Sequence, residues 1–159
     1  MANADEGRRP GEPRYVFDNG VRFECVRCGR CCTGAPGIIF VNRQDAERIA
    51  GHLGLALDTF LATHTRPWKD GHTLVEKANG ECVFYEEGRC RIYEVRPTRC
   101  RTYPFWPETL RSEEAWRETC AECPGIGRGR IHLRDEILRL IHASWEAGPQ
   151  SKAHQPPSD

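Results

Sequence analysis

The chain has 159 residues, 38% hydrophobic and 29% charged, with 15 Gly, 11 Pro and nine Cys, which is one domain's worth of chain with a thin supply of core residues. Lys+Arg and Asp+Glu balance at 23 each, so net charge gives no ground for a nucleic-acid or anionic-membrane partner; a protein partner is left open and its identity unknown. No segment approaches the roughly 18 apolar residues of a membrane span. The polar first residues also lack a secretory signal's apolar run, so the expected location is cytoplasmic. There thiols stay reduced, and dense cysteine points to metal or redox chemistry rather than to structural disulfides.

Residues 1–14 read as a disordered arm, 15–146 as one domain and 147–159 as a disordered tail. Residues 15–24 alternate around Asp18-Asn19-Gly20, a turn signal that predicts two short paired strands. Residues 25–34 form a cysteine- and glycine-rich loop. Asn42 is an N-cap candidate, and Ala46, Ile49, Ala50 and Leu53 follow at helical spacing up to Gly54, a C-cap candidate. Asp58 is a cap candidate for a second short helix through residues 59–64, with Phe60 and Leu61 facing inward. Residues 73–77 and 82–86 read as a hairpin around Ala78-Asn79-Gly80.

Pro97 suits the first turn of a short helix carrying Cys100. Pro104 and Pro107 break regular structure, and Pro124-Gly125-Ile126-Gly127 reads as irregular. A last helix is marked by Leu133, Ile137, Leu140, Ile141 and Ser144 on one face. The expected class is α+β: a small, irregular single domain of short hairpins, a few helices and cysteine-bearing loops organised around metal sites.

Four cysteines stand in eight residues, Cys25-Val-Arg-Cys28-Gly-Arg-Cys31-Cys32. Two residues between cysteines let both sulfurs turn toward one ion while backbone N–H groups point at them, as in zinc knuckles. C-x2-C-x2-C also matches the run that grips three irons of a [4Fe–4S] cluster. In an extended segment Cys31 and Cys32 would face opposite ways, which predicts that one of them belongs to a different site or bridges toward a second metal. Downstream lie Cys82, Cys90, Cys100, Cys120 and Cys123. Eight thiolates fill two four-coordinate sites, or one cluster and a weaker structural site; spacing does not choose between these. Arg22, Arg27, Arg30, Arg89, Arg91, Arg96, Arg99 and Arg101 sit near these cysteines in sequence and would offset thiolate charge.

Three ordered motifs carry a resemblance. They are Cys25-x-x-Cys28-Gly-x-Cys31-Cys32, Cys90-x-Ile92-Tyr93-x-x-Arg96-Pro97-x-x-Cys100-Arg101, and Cys123-Pro124-Gly125-Ile126-Gly127-x-Gly129. Together, over about residues 20–130, they resemble the YkgJ-like cysteine-cluster family of zinc- or iron-chelating domains. The resemblance implies a metal set of Cys25, Cys28, Cys31, Cys32, Cys82, Cys90, Cys100 and Cys123, with Cys120 outside it. It implies an iron–sulfur cluster ([4Fe–4S]) or zinc as cofactor. Larger relatives with a similar domain include lysine methylases that resemble iron–sulfur enzymes, but this chain has little length beyond the cysteine domain.

The expected role is therefore a metal-binding accessory or electron-transfer protein rather than an enzyme. An enzyme or enzyme-activating partner, and a zinc-stapled interaction module, are the alternatives. Among other residues, His64 and His72 are eight apart and are the histidines to weigh as ligands, although the six histidines as a whole read as surface or half-buried. Glu86-Glu87 and Glu113-Glu114 read as solvated. Trp68, Trp106, Trp116 and Tyr103 read as packing around the cysteine loops.

Overall fold

The structure is a computed structural model that describes residues 10–11, 15–33 and 38–147. Most of the expected arm and tail, residues 1–9, 12–14 and 148–159, lies outside the described residues.

Short strands in three small sheets alternate with short helices. The order is β1 (Val21–Phe23), α1 (Arg30–Thr33), β2 (Phe40–Val41), α2 (Arg43–Leu53), α3 (Leu57–His64), β3 (Thr65–Trp68), β4 (Gly71–Leu74), β5 (Tyr85–Glu86) and β6 (Arg89–Cys90). A 3-10 turn, Tyr93–Val95, leads into α4 (Thr98–Thr102), α5 (Pro107–Leu110), α6 (Glu113–Glu122), β7 (Ile126–His132) and α7 (Arg134–Glu146). The mixture of helices and small antiparallel sheets agrees with the α+β expectation.

α2 forms as its sequence dictates. Asn42 Oδ1 accepts the Asp45 N–H at 2.8 Å, and Gly54 ends the helix in the left-handed region at φ 68°. Ala46, Ile49 and Ala50 turn inward with Phe60 of α3, Val41, Leu74, Phe84 and Ile92 to make one apolar cluster, against which Cys82 and Cys90 pack. A second cluster gathers Phe17, Val21, Phe105 and Leu110 around Ile137 and Ile141 of α7. At roughly 25 cal/mol per Å² of apolar area, two clusters of this size hold the chain only modestly. The cysteine segments hang between short elements rather than on one large core.

Two strand expectations differ from the structure. Residues 15–19 are turns: Tyr15 N–H donates to Asp18 Oδ2 at 2.9 Å, and Phe17 is buried. β1 instead pairs antiparallel with β7, with Val21 opposite His132 and a bulge between Arg22 and Phe23. Burial of Phe17 fixes the turn, and the strand finds its partner across the chain. The expected hairpin around Ala78-Asn79-Gly80 shrinks to one bridge, Glu76 to Cys82. β4 is the centre of a three-stranded sheet between β2 and β3, and β5 pairs with β6.

Candidate metal centre

β1 delivers the chain into residues 24–29, which carry Cys25 and Cys28, both exposed. Arg27 at φ 55° and Gly29 at φ 75° are both left-handed and fold this loop back into α1. A Cβ on Gly29 would stand 2.5 Å from the Tyr85 hydroxyl, so backbone and contact both demand glycine. α1 carries Cys31 and Cys32. The Cys32 carbonyl accepts the Cys82 N–H at 2.8 Å, tying the first cysteine motif to the segment after β4. Cys90 lies on β6, Cys100 on α4, and Cys123 caps the C-terminus of α6.

These segments converge. Cys31 and Cys32 are adjacent on α1, and each is the largest cause of the other's shift in proton affinity. Cys32 feels the charges of Cys82 and Cys90; Cys100 feels those of Cys31, Cys82 and Cys90. Cys90 also feels Cys25, and Cys123 feels Cys28 and Cys31. Cys120 is exposed on α6 and stands outside this set. The contact between Cys31 and Cys32 differs from the expectation that they diverge. That expectation assumed an extended segment, and the segment is a helical turn.

Electrostatics divides the pair. The Cys32 side chain, against the cost of burial and with help from Cys31's own N–H and from Arg96, lowers Cys31 to about 7. The same pairing raises Cys32, as do burial and the neighbouring sulfurs. Burial is the main cause that raises Cys82, Cys90, Cys100 and Cys123. Main-chain donors partly offset it. The Phe84 N–H points at Cys82, the Ile92 N–H at Cys90, and the Gly125 and Ile126 N–H groups at Cys123. In each case a donor lies two residues beyond the sulfur, the knuckle arrangement that receives thiolate charge.

The flanking arginines mostly serve other partners. Arg22 donates to the Gly129 carbonyl at 2.9 Å and Arg30 to the Glu122 carbonyl at 3.3 Å. Arg91 pairs with Glu86 at 3.2 Å, and Arg99 pairs with Glu108 at 3.1 Å while lying 3.7 Å over the Trp106 ring. Arg96, the furthest of the eight from a cysteine in sequence, lowers Cys31, Cys90 and Cys100 through its charge.

Sequence reasoning missed two kinds of supporting residue. Tyr93 and Tyr103 are raised by burial, and next by neighbouring sulfurs that include Cys25 for Tyr93 and Cys123 for Tyr103. Asp45, only 1% exposed, reaches from α2 to the start of α4: its carboxylate accepts the Thr98 N–H at 3.0 Å and the Thr98 hydroxyl at 2.9 Å. It thereby caps the helix that carries Cys100, whose own N-cap, Pro97, supplies no side-chain cap. Asp45 reads locally as an ordinary first-turn acid, so nothing in the sequence announces that second duty.

Two of the histidines, His64 and His132, have partners away from the sulfurs. His64 packs in a triangle with Phe60 and Phe84, at 5.5 and 5.2 Å between ring centroids, and burial lowers its pKa. His132 lies within hydrogen-bond distance of the Phe23 carbonyl and of Glu136.

Among the described residues, no three Cys, His, Asp or Glu side chains are gathered tightly enough to hold an ion as they stand. The sulfurs are electrostatic neighbours, not a closed shell. The donor set itself fits a thiophilic group. Sulfur selects zinc or an iron–sulfur cluster over magnesium or calcium, which take oxygen ligands. A cleft of about 780 Å³ opens beside Cys31, Cys32 and Cys82, with Arg99, Tyr103 and Trp106 in its lining.

Cysteines from separated segments of a small α+β fold, supported by main-chain donors and tyrosine hydroxyls, define a cysteine-cluster domain. Residues 24–124 match the family model of CxxCxxCC, "Putative zinc- or iron-chelating domain", and the chain belongs to that family. An uncharacterised protein of Methanocaldococcus jannaschii is 34% identical to it over 102 residues, 61% of this chain and 54% of the relative. The chain thus spans about half the length of that curated relative. No solved structure matches it. No helix among the described residues is long and apolar enough to cross a membrane.

Proposed function

We propose that the protein is a metal carrier or electron-transfer accessory in which Cys25, Cys28, Cys31, Cys32, Cys82, Cys90, Cys100 and Cys123 hold an iron–sulfur cluster, with zinc as the rival occupant. The observation that carries the reading is the convergence of the first cysteine motif on the segment after β4, where the Cys32 carbonyl accepts the Cys82 N–H at 2.8 Å and Cys82 and Cys90 pack on the same apolar cluster. Main-chain donors aimed at Cys82, Cys90 and Cys123 support it, because such donors hold a thiolate in place and tune a bound cluster. The C-x2-C-x2-C run favours the cluster over zinc. When bound, a cluster supplies one-electron chemistry and zinc supplies a structural cross-link; the residues' task in both cases is to orient sulfur and supply donors.

Anaerobic purification tests the choice. Brown protein with absorbance in the blue, and with iron and acid-labile sulfide in equal amounts, is the expected result. Colourless protein carrying zinc overturns the cluster in favour of the zinc reading.

A further inference from the structure

Tyr93 occupies an unusual place between the cysteine segments. It lies on the 3-10 turn that joins β6, which ends at Cys90, to α4, which carries Cys100. Two guanidinium carbons stand at stacking distance from its ring, Arg27 at 3.8 Å and Arg96 at 3.6 Å. Arg96 also donates from Nε to the Tyr93 carbonyl at 2.8 Å, which fixes it on the turn. Arg27 comes from the opposite side, between Cys25 and Cys28, and reaches Tyr93 from a left-handed backbone at φ 55°. Non-glycine residues seldom adopt that conformation without compensating contacts. A second tie reinforces the first, since Arg27 Nη2 lies 3.9 Å from Glu94 Oε1 on the same turn. Burial, and then the neighbouring Cys25, raise the Tyr93 hydroxyl, which places Cys25 beside the same ring.

We infer that Tyr93, gripped by Arg27 and Arg96, is a positioning residue that keeps the loop of residues 24–29 shut over the centre and sets how fast the centre gives up its metal. The inference rests on the metal-centre reading above. The loop's other anchors are at its ends, where the Glu24 N–H donates to the Gly125 carbonyl and buried Gly29 packs against Tyr85, while Cys25, Val26, Arg27 and Cys28 between them are all exposed. A ligand-bearing loop without packing opens easily, and opening is the step that exposes a metal to a competing chelator. Stacking of two cations on one ring resists that opening without a buried core.

Transfer of metal to a chelator tests this. The parent chain is loaded anaerobically with ferrous iron and sulfide, and separately with Zn²⁺. Whichever is retained through gel filtration is then challenged with excess EDTA. Tyr93→Phe keeps the ring and should retain the fold by circular dichroism while releasing metal about threefold faster. Tyr93→Leu removes the stack and should release it about tenfold faster. Arg96→Lys keeps the charge but weakens the stack and should fall between them. In the metal-free chain, Tyr93→Leu should also speed tryptic cleavage after Arg27 while cuts elsewhere stay at parental rates.

A parent that retains neither metal overturns the metal-centre reading and the clasp with it. A loaded parent whose Tyr93→Leu variant releases metal within about twofold of the parental rate, and is cut after Arg27 no faster, overturns the clasp alone.

Discussion

Replacing Asp45 should loosen the cysteine centre from a distance. Its carboxylate accepts the Thr98 N–H and hydroxyl, and Arg48 Nη2 at 2.8 Å. Arg48 Nη2 in turn holds the Arg96 carbonyl at 2.9 Å. Asp45→Ala leaves the first turn of α4 uncapped, which costs about 0.5–2 kcal/mol. It also strips two half-buried donors of a charged acceptor, at up to about 1.5–3 kcal/mol each before relaxation. These losses overlap, and the Arg48 side chain, 35% exposed, recovers water. The net expectation is therefore about 3–4 kcal/mol, toward the low end of the range for breaking a buried ion pair.

Against a total stability of about 5–15 kcal/mol that is a large fraction. It corresponds to a fall in Tm of about 10 °C for a chain of this size. Urea unfolding of the metal-free chain gives the number directly, and Asp45→Asn, which keeps one acceptor oxygen, should lose about half as much. A loss below about 1 kcal/mol for Asp45→Ala would show that the cap does not hold the Cys100 helix, and would refute the reasoning.

Other outcomes follow from the same geometry. Gly125→Ala would place a Cβ 2.3 Å from the Glu24 carbonyl oxygen, so it should destabilise the chain by about 1–3 kcal/mol in urea titrations; full parental stability would contradict the close approach. Cys120→Ser should keep parental metal content and stability within about 0.5 kcal/mol, whereas Cys100→Ser should lose metal by elemental analysis. With Cys31 lowered to about 7, its thiolate forms as pH rises through that value, so alkylation of Cys31 in the metal-free chain should rise most steeply around pH 7. Peptide mapping by mass spectrometry reads this, and a midpoint at the ordinary thiol value of about 8.5 would refute the pairing with Cys32.

What the sequence makes legible follows from how local each cause is. α2 and α7 announce themselves through caps and spacing: Asn42 and Gly54 bound the first, and Ile137, Ile141 and Ser144 are buried along the second. Pro97 marks the start of α4 for the same reason. β7 is hidden because Ile-Gly-Arg-Gly-Arg-Ile-His has poor strand propensity, and pairing with β1 overrides it. α6 is capped by Ser112 through the Ala115 N–H at 3.1 Å, a cue present in the sequence but masked by reading Glu113-Glu114 only as surface charge.

At the site, the cysteines and their two-residue spacings are local features and stand out in the sequence. Their companions are not. Asp45 and Thr98 are 53 positions apart, and Tyr93 reaches Cys25 across most of the domain, so only the folded chain brings them together.

X-ray absorption at the metal edge of anaerobically purified protein tests the central claim most directly. The account predicts a first shell made of sulfur alone, at about 2.3 Å. A shell of oxygen or nitrogen near 2.0 Å, or protein that emerges without metal from an iron- and zinc-replete preparation, would contradict it.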